Sequence, residues 1–288
     1  MSIYYRIITE GVDAMKKSIS FFLITVLLLT LCSCSKNENK YSYIENETGI
    51  TITAYNGDEA ILTVPDEIDG KTITAIEADV FKECQTLESV TLPLTVTEIP
   101  DGCFLGCTNL ETVNAPGVTK VGLGAFEETK FIQTDGFVIV GDGVLVAYNG
   151  MSNNVSVPDT VKDIGAVFLG NATLKSIFLP DTVTSLDADA FMACSELCDI
   201  YLPTTVTSIG PFAFYGCYKL EHLDIPAGCQ SIGEYAFADC VSLKNISIPD
   251  SVTDIGDNIL LDSKNAVVTT PFESTAFTYA VENGIEVQ

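Results

Sequence analysis

The sequence predicts a β-rich solenoid, and two observations carry the prediction. Prolines recur at Pro93, Pro116, Pro158, Pro180, Pro203, Pro226 and Pro249, at intervals of 23, 42, 22, 23, 23 and 23 residues. A fixed period in this range marks an array of stacked units, each too small to bury its own apolar face. Ahead of the prolines, apolar and polar residues alternate, as in Leu220-Glu221-His222-Leu223-Asp224-Ile225-Pro226. That is the side-chain period of a strand, and a proline ends the strand because it cannot donate to the ladder.

Three units display the frame best: residues 181–203, 204–226 and 227–249. They share V-x-x-I-G-x-x-A-F-x-x-C-x-x-L-x-x-I-x-L-P, with the apolar positions of this pattern facing inward. The frame resembles the BspA-like branch of leucine-rich repeats, in its proline-ended strand and its A-F-x-x-C segment. The likeness runs from about Ile50 to the C-terminus, with residues 50–55 similar to that family's entry hairpin and residues 276–287 to its closing segment. It implies a right-handed coil with one parallel sheet face over residues 46–288. The Asn that follows the strand in ordinary leucine-rich repeats is absent. Val183, Val206 and Val252 stand near that turn, so the carbonyls there need other donors.

The 42-residue interval holds an insertion at about residues 131–157. Within it, residues 137–148 read as two strands around Gly141-Asp142-Gly143, a β-hairpin that projects from or interrupts the stack.

The N-terminus has a different composition. Met15-Lys16-Lys17 precedes a thirteen-residue apolar core at 19–31, the length of a signal-peptide core and too short to span a bilayer. Leu31-Cys32-Ser33-Cys34 resembles the bacterial lipobox, which implies cleavage before Cys34, lipid attachment there and anchoring to a membrane. Residues 1–34 are thus expected as signal peptide, with Met15 an alternative start, and 35–45 as a polar tether. The expected location is the bacterial cell envelope, at the outer membrane or cell surface.

Ten cysteines in an exported chain first suggest disulfides. The frame suggests instead a buried column of free thiols, because Cys84, Cys107, Cys194, Cys217 and Cys240 share one slot, stacked ~5 Å apart at strand separation. A line of ligands cannot surround a tetrahedral zinc, so no metal site is expected. Cys103 takes the Ala slot and Cys229 the Val slot, both inward, whereas Cys198 aligns with polar residues and should be exposed.

Net charge is −25, with 39 acidic and 14 basic residues, which argues against nucleic acid as a partner. No phosphate loop, dinucleotide fingerprint or calcium loop occurs, so no cofactor is expected. Cys198 and His222 could form a nucleophile–base pair. Nothing in the sequence suggests oxyanion donors or a pocket beside them, and a solvated surface His is the simpler reading. The chain therefore reads as a non-enzymatic lipoprotein, and the BspA-like resemblance implies binding of a host or neighbouring-cell protein. The alternative is glycan capture, against which the absence of Trp counts.

Side chains alternate along a strand, so the residue between the inward Ile and Leu points out of the sheet. Across coils that slot reads Thr91, Asn114, Phe178, Tyr201, Asp224 and Ser247, and its neighbour reads Ser89, Thr112, Ser176, Asp199, His222 and Asn245. Phe178 and Tyr201 break a small, polar series. With Asp199, His222 and Asp224 they make up the expected partner-binding face. The competing expectation is that the inserted hairpin folds over both rings.

Overall fold

The computed structural model describes residues 40–288. The signal peptide, the lipobox with Cys34 and most of the tether lie outside the described residues. The tether's last residues do not: Tyr41–Asn46 is a strand, paired antiparallel with Gly49–Tyr55. Its alternating Tyr41 and Tyr43 pack on the first coils, which draws the segment into the fold. The entry hairpin therefore starts before residue 46.

Beyond it the chain is a solenoid of stacked coils. The strand that ends at each repeat proline is three residues long, with its middle residue turned inward. Ile61–Thr63, Ser89–Thr91 and Thr112–Asn114 pair in parallel. So do Asn154–Ser156, Ser176–Phe178 and Asp199–Tyr201. His222–Asp224, Asn245–Ser247 and Val267–Thr269 form a third set, closed by Glu286–Val287. This is the expected parallel face.

A second ladder accompanies it. The Ser-Ile or Asp-Ile pair of each frame forms a two-residue strand: Asp163–Ile164, Ser185–Leu186, Ser208–Ile209, Ser231–Ile232 and Asp254–Ile255 run in continuous parallel register. The hairpin Phe137–Val140/Val144–Tyr148 joins this sheet through the pairing of Val144 with Asp163, so it is built into the stack. Both of its faces pack against core residues. Val138 and Val140 pack into the N-terminal core and Leu145 into the C-terminal core, which it separates.

The A-F position makes an aromatic column through each core. Phe168, Phe191, Phe214 and Phe237 stack at centroid distances of 5.5, 5.3 and 5.6 Å, and Phe81, Phe104 and Phe126 at 5.0 and 5.5 Å. In the hairpin, Tyr148 stands 5.4 Å from Phe168 and takes the place of a column Phe.

The cysteine column runs beside it. All eight cysteines among the described residues are free. Four of the five column thiols donate to the carbonyl of the Phe one coil back: Cys107 to Phe81 (2.8 Å), Cys194 to Phe168 (3.0 Å), Cys217 to Phe191 (3.3 Å) and Cys240 to Phe214 (3.1 Å). Ser263, at the same slot, donates to Phe237 (2.8 Å). The thiol thus fills a space and also satisfies a buried acceptor. The turn carbonyls find a different donor. Thr182 and Thr205 hydroxyls donate to Val161 (2.6 Å) and Val183 (2.7 Å) on the preceding coil, and Thr95 to Ile73 (2.6 Å).

The C-terminal helix, Thr275–Glu282, caps the stack. Ser274 accepts from the Phe277 amide at its N-terminus, while Ala276 and Ala280 are buried against the last coil.

Candidate functional site

Ile177 and Leu179 are buried on either side of Phe178, which the strand alternation therefore turns out of the sheet. Phe178 is 54% exposed and Tyr201 58% exposed, so the hairpin does not cover them. They are direct register partners on adjacent strands, as are Ser176 and Asp199. The strand separation places the two backbones ~4.8 Å apart, close enough for the rings to form one apolar surface.

The rest of the expected face lies across a discontinuity. No strand pairing joins Asp199–Tyr201 to His222–Asp224 among the described residues, although the two strands remain neighbours. The coils concerned are held on the other side by the unbroken Ser185–Leu186, Ser208–Ile209, Ser231–Ile232 ladder. Ile200 is only half-buried at this step, where Ile177 and Leu223 are buried.

Asp199 and Asp224 are both exposed. Glu221 meets Lys244 at 2.5 Å, and the hydrogen bond and charge of that ammonium hold its carboxyl below the usual range. The His222 ring engages the Asn245 amide at 3.3 Å and lies 4.0 Å from Glu221.

Cys198 is exposed, as its register predicts, but its thiol donates to the Lys175 carbonyl on the preceding coil (3.4 Å). His222 turns to the following coil, so the structure does not bring this thiol and imidazole together. Burial pushes the Cys194 and Cys240 thiols up to about 12. Cys103 and Cys229 are buried as expected. Cys84 is not fully buried: it is half-buried, at the N-terminal end of the column. Among the described residues no three His, Cys, Asp or Glu side chains are grouped to hold a metal ion. No described helix is long and apolar enough to cross a membrane.

Open clefts lie elsewhere. One of about 730 Å³ separates the last coil from the C-terminal helix, lined by Leu260, Lys264, Tyr279 and Ile285. Another of about 340 Å³ follows the two-residue ladder along Asp187, Ser208, Gly210 and Ser231.

One surface feature escaped the sequence reading. Phe212 and Tyr235 stack at 5.0 Å with planes 5° apart, and both have left-handed backbones, φ +56° and +55°. The same turn is made by Gly102, Asp189 and Asn258 in other coils. Aromatic side chains are disfavoured there, and their interruption of a Gly/Asp/Asn series was the available signal.

A comparison with curated proteins returned no match. The family model described as BspA-type leucine-rich repeat region matches in six copies, over residues 67–136 and 147–267. Among solved structures, the chain is similar to a leucine-rich cell surface protein from Faecalibacterium prausnitzii, at 21% identity and TM-score 0.47, covering 87% of this chain and 98% of that one. A leucine-rich repeat protein from Bacteroides ovatus aligns at 18% identity and TM-score 0.42, over 81% of this chain and 70% of that one. The pneumococcal vaccine antigen PcpA aligns at 14% identity and TM-score 0.43, over 86% and 98%.

Proposed function

The chain belongs to the BspA-type leucine-rich repeat family, and from that premise we propose that it is a non-enzymatic, lipid-anchored surface protein that binds a macromolecular partner on its three-residue strand face. The observation that carries the reading is the pair Phe178 and Tyr201, in register and more than half exposed beside the polar outward residues Asn154, Ser156, Ser176 and Asp199. Exposed aromatics with a polar rim are the usual make-up of an interface centre. The anchor is Cys34, on the Leu31-Cys32-Ser33-Cys34 order after the apolar core.

The experiment is a paired binding screen, in which the full chain and its Phe178→Ala/Tyr201→Ala variant are applied to arrayed extracellular proteins and glycans. Loss of the strongest signal by ~10-fold or more in the variant is expected; an unchanged pattern would remove this face. Glycan capture is the second reading, favoured by the exposed Tyr201 ring, and glycan signals without protein signals would select it. The anchor is tested by radiolabelled palmitate. Cys34→Ala should lose the label and Cys32→Ala should keep it; persistent labelling of Cys34→Ala would refute the assignment.

A further inference from the structure

The carboxylates beside the exposed rings are not neutralised by an ion pair among the described residues. Asp199 lies two residues before Tyr201 on the same side of the strand, and Asp224 occupies the next place in the row that holds Phe178 and Tyr201. Among the described residues, neither Asp199 nor Asp224 takes part in an ion pair, while Lys244 and Lys219 are engaged by Glu221 and Glu196. Lys175, which precedes Ser176 on the Phe178 strand, forms no ion pair with either carboxylate among the described residues.

Two flat rings with unneutralised carboxylates at one end match a particular kind of side chain. A hydrocarbon stem can lie across the rings while its charged head reaches the acids, as Arg and, less well, Lys can do. A neutral sugar could stack on the rings and donate hydroxyl hydrogen bonds to the carboxylates but would leave their charge unbalanced, and an acidic ligand would be repelled by a chain of net charge −25.

We infer that the partner presents an exposed arginine-bearing basic segment, docking with guanidinium groups over Phe178 and Tyr201 and against Asp199 and Asp224. This rests on the reading of the strand face as the binding surface and adds the chemistry of what binds there.

The probe is a fluorescein-labelled hexa-arginine peptide, titrated with the full chain in non-ionic detergent at ~0.15 M salt and read by anisotropy. Phe178→Ala/Tyr201→Ala leaves the charge unchanged and should weaken binding ~10-fold or more. Asp199→Asn/Asp224→Asn should also weaken it, whereas Asp58→Asn/Glu67→Gln, an equal loss of charge at exposed sites remote in sequence, should not. Circular dichroism melting of each variant separates lost binding from lost folding. Equal binding by the aromatic variant would show attraction to net charge alone and overturn the inference, as would no binding by the unaltered chain. Failure here combined with aromatic-dependent protein or glycan signals on the arrays would sink the basic-segment inference and leave the binding face standing. Loss of aromatic dependence in both experiments would sink both.

Discussion

The two strand faces of the solenoid share coils and spacing but differ in what they present. Along the two-residue ladder, the outward slot reads Asp163, Ser185, Ser208, Ser231 and Asp254, and the backbones nearly touch. A side chain added at Gly210 would lie 2.5 Å from the Ala188 amide, and at Gly233 2.3 Å from that of Pro211. Along the three-residue ladder the corresponding row reads Ser156, Phe178, Tyr201, Asp224 and Ser247, and the ladder is interrupted beside Tyr201. The first face is uniform because close packing of coils dictates it. The second has room that folding does not use, and large aromatics there have no role in the core.

The largest expected effect breaks what both faces share. Phe214 is fully buried between Phe191 and Phe237. Phe214→Ala should cost ~3–5 kcal/mol, as large core truncations do, measured by denaturant unfolding. An unchanged midpoint would show that the column does not hold the coils.

A smaller effect sets the faces against each other. Gly210→Ala adds one methyl group to the tight face and should cost ~1–3 kcal/mol, because the backbone it meets must move. Phe178→Ala with Tyr201→Ala removes two rings from the other face and should change stability by no more than ~0.5 kcal/mol. If the double truncation proved the more destabilising, Phe178 and Tyr201 would be structural and the contrast between the faces would fail.

How much of this was legible in the sequence follows from the same contrast. The three-residue strands announce themselves by alternation and a terminal proline, so the register of Phe178 with Tyr201 and the exposure of Cys198 could be read from spacing. The two-residue strands are too short for a period to show, and their ladder exists only because neighbouring coils supply the partners. The same holds for the Thr205 hydroxyl on Val183 and the Cys217 thiol on Phe191, donors whose acceptors lie 22 and 26 residues away. The hairpin was visible as a hairpin, but its place in the stack depended on Tyr148 substituting for a column Phe. The break beside Tyr201 left no mark in the repeat frame, because the residues on both sides of it keep their apolar slots.

The smallest expected effect sharpens the account of the tight face. Asp187 has its carboxyl raised above the ordinary range, first by desolvation against the coil and then by the charge of Asp163, while the Ser185 hydroxyl between them donates to Asp163 at 2.7 Å. A carboxyl with a folded pKa above its unfolded one binds its proton more tightly in the folded state. Its contribution therefore favours folding at low pH and is lost as pH rises through the raised value, leaving a penalty at neutral pH. Asp187→Asn removes that penalty. The variant should be more stable at pH 7, by no more than a few tenths of a kcal/mol because the side chain reaches solvent, and the gain should vanish below the ordinary aspartate range near ~3.9. Thermal unfolding of the chain and the variant across that pH range checks the sign. A variant less stable at pH 7, or a gain that persists unchanged into acid, would show that ionisation of Asp187 carries no penalty on this face.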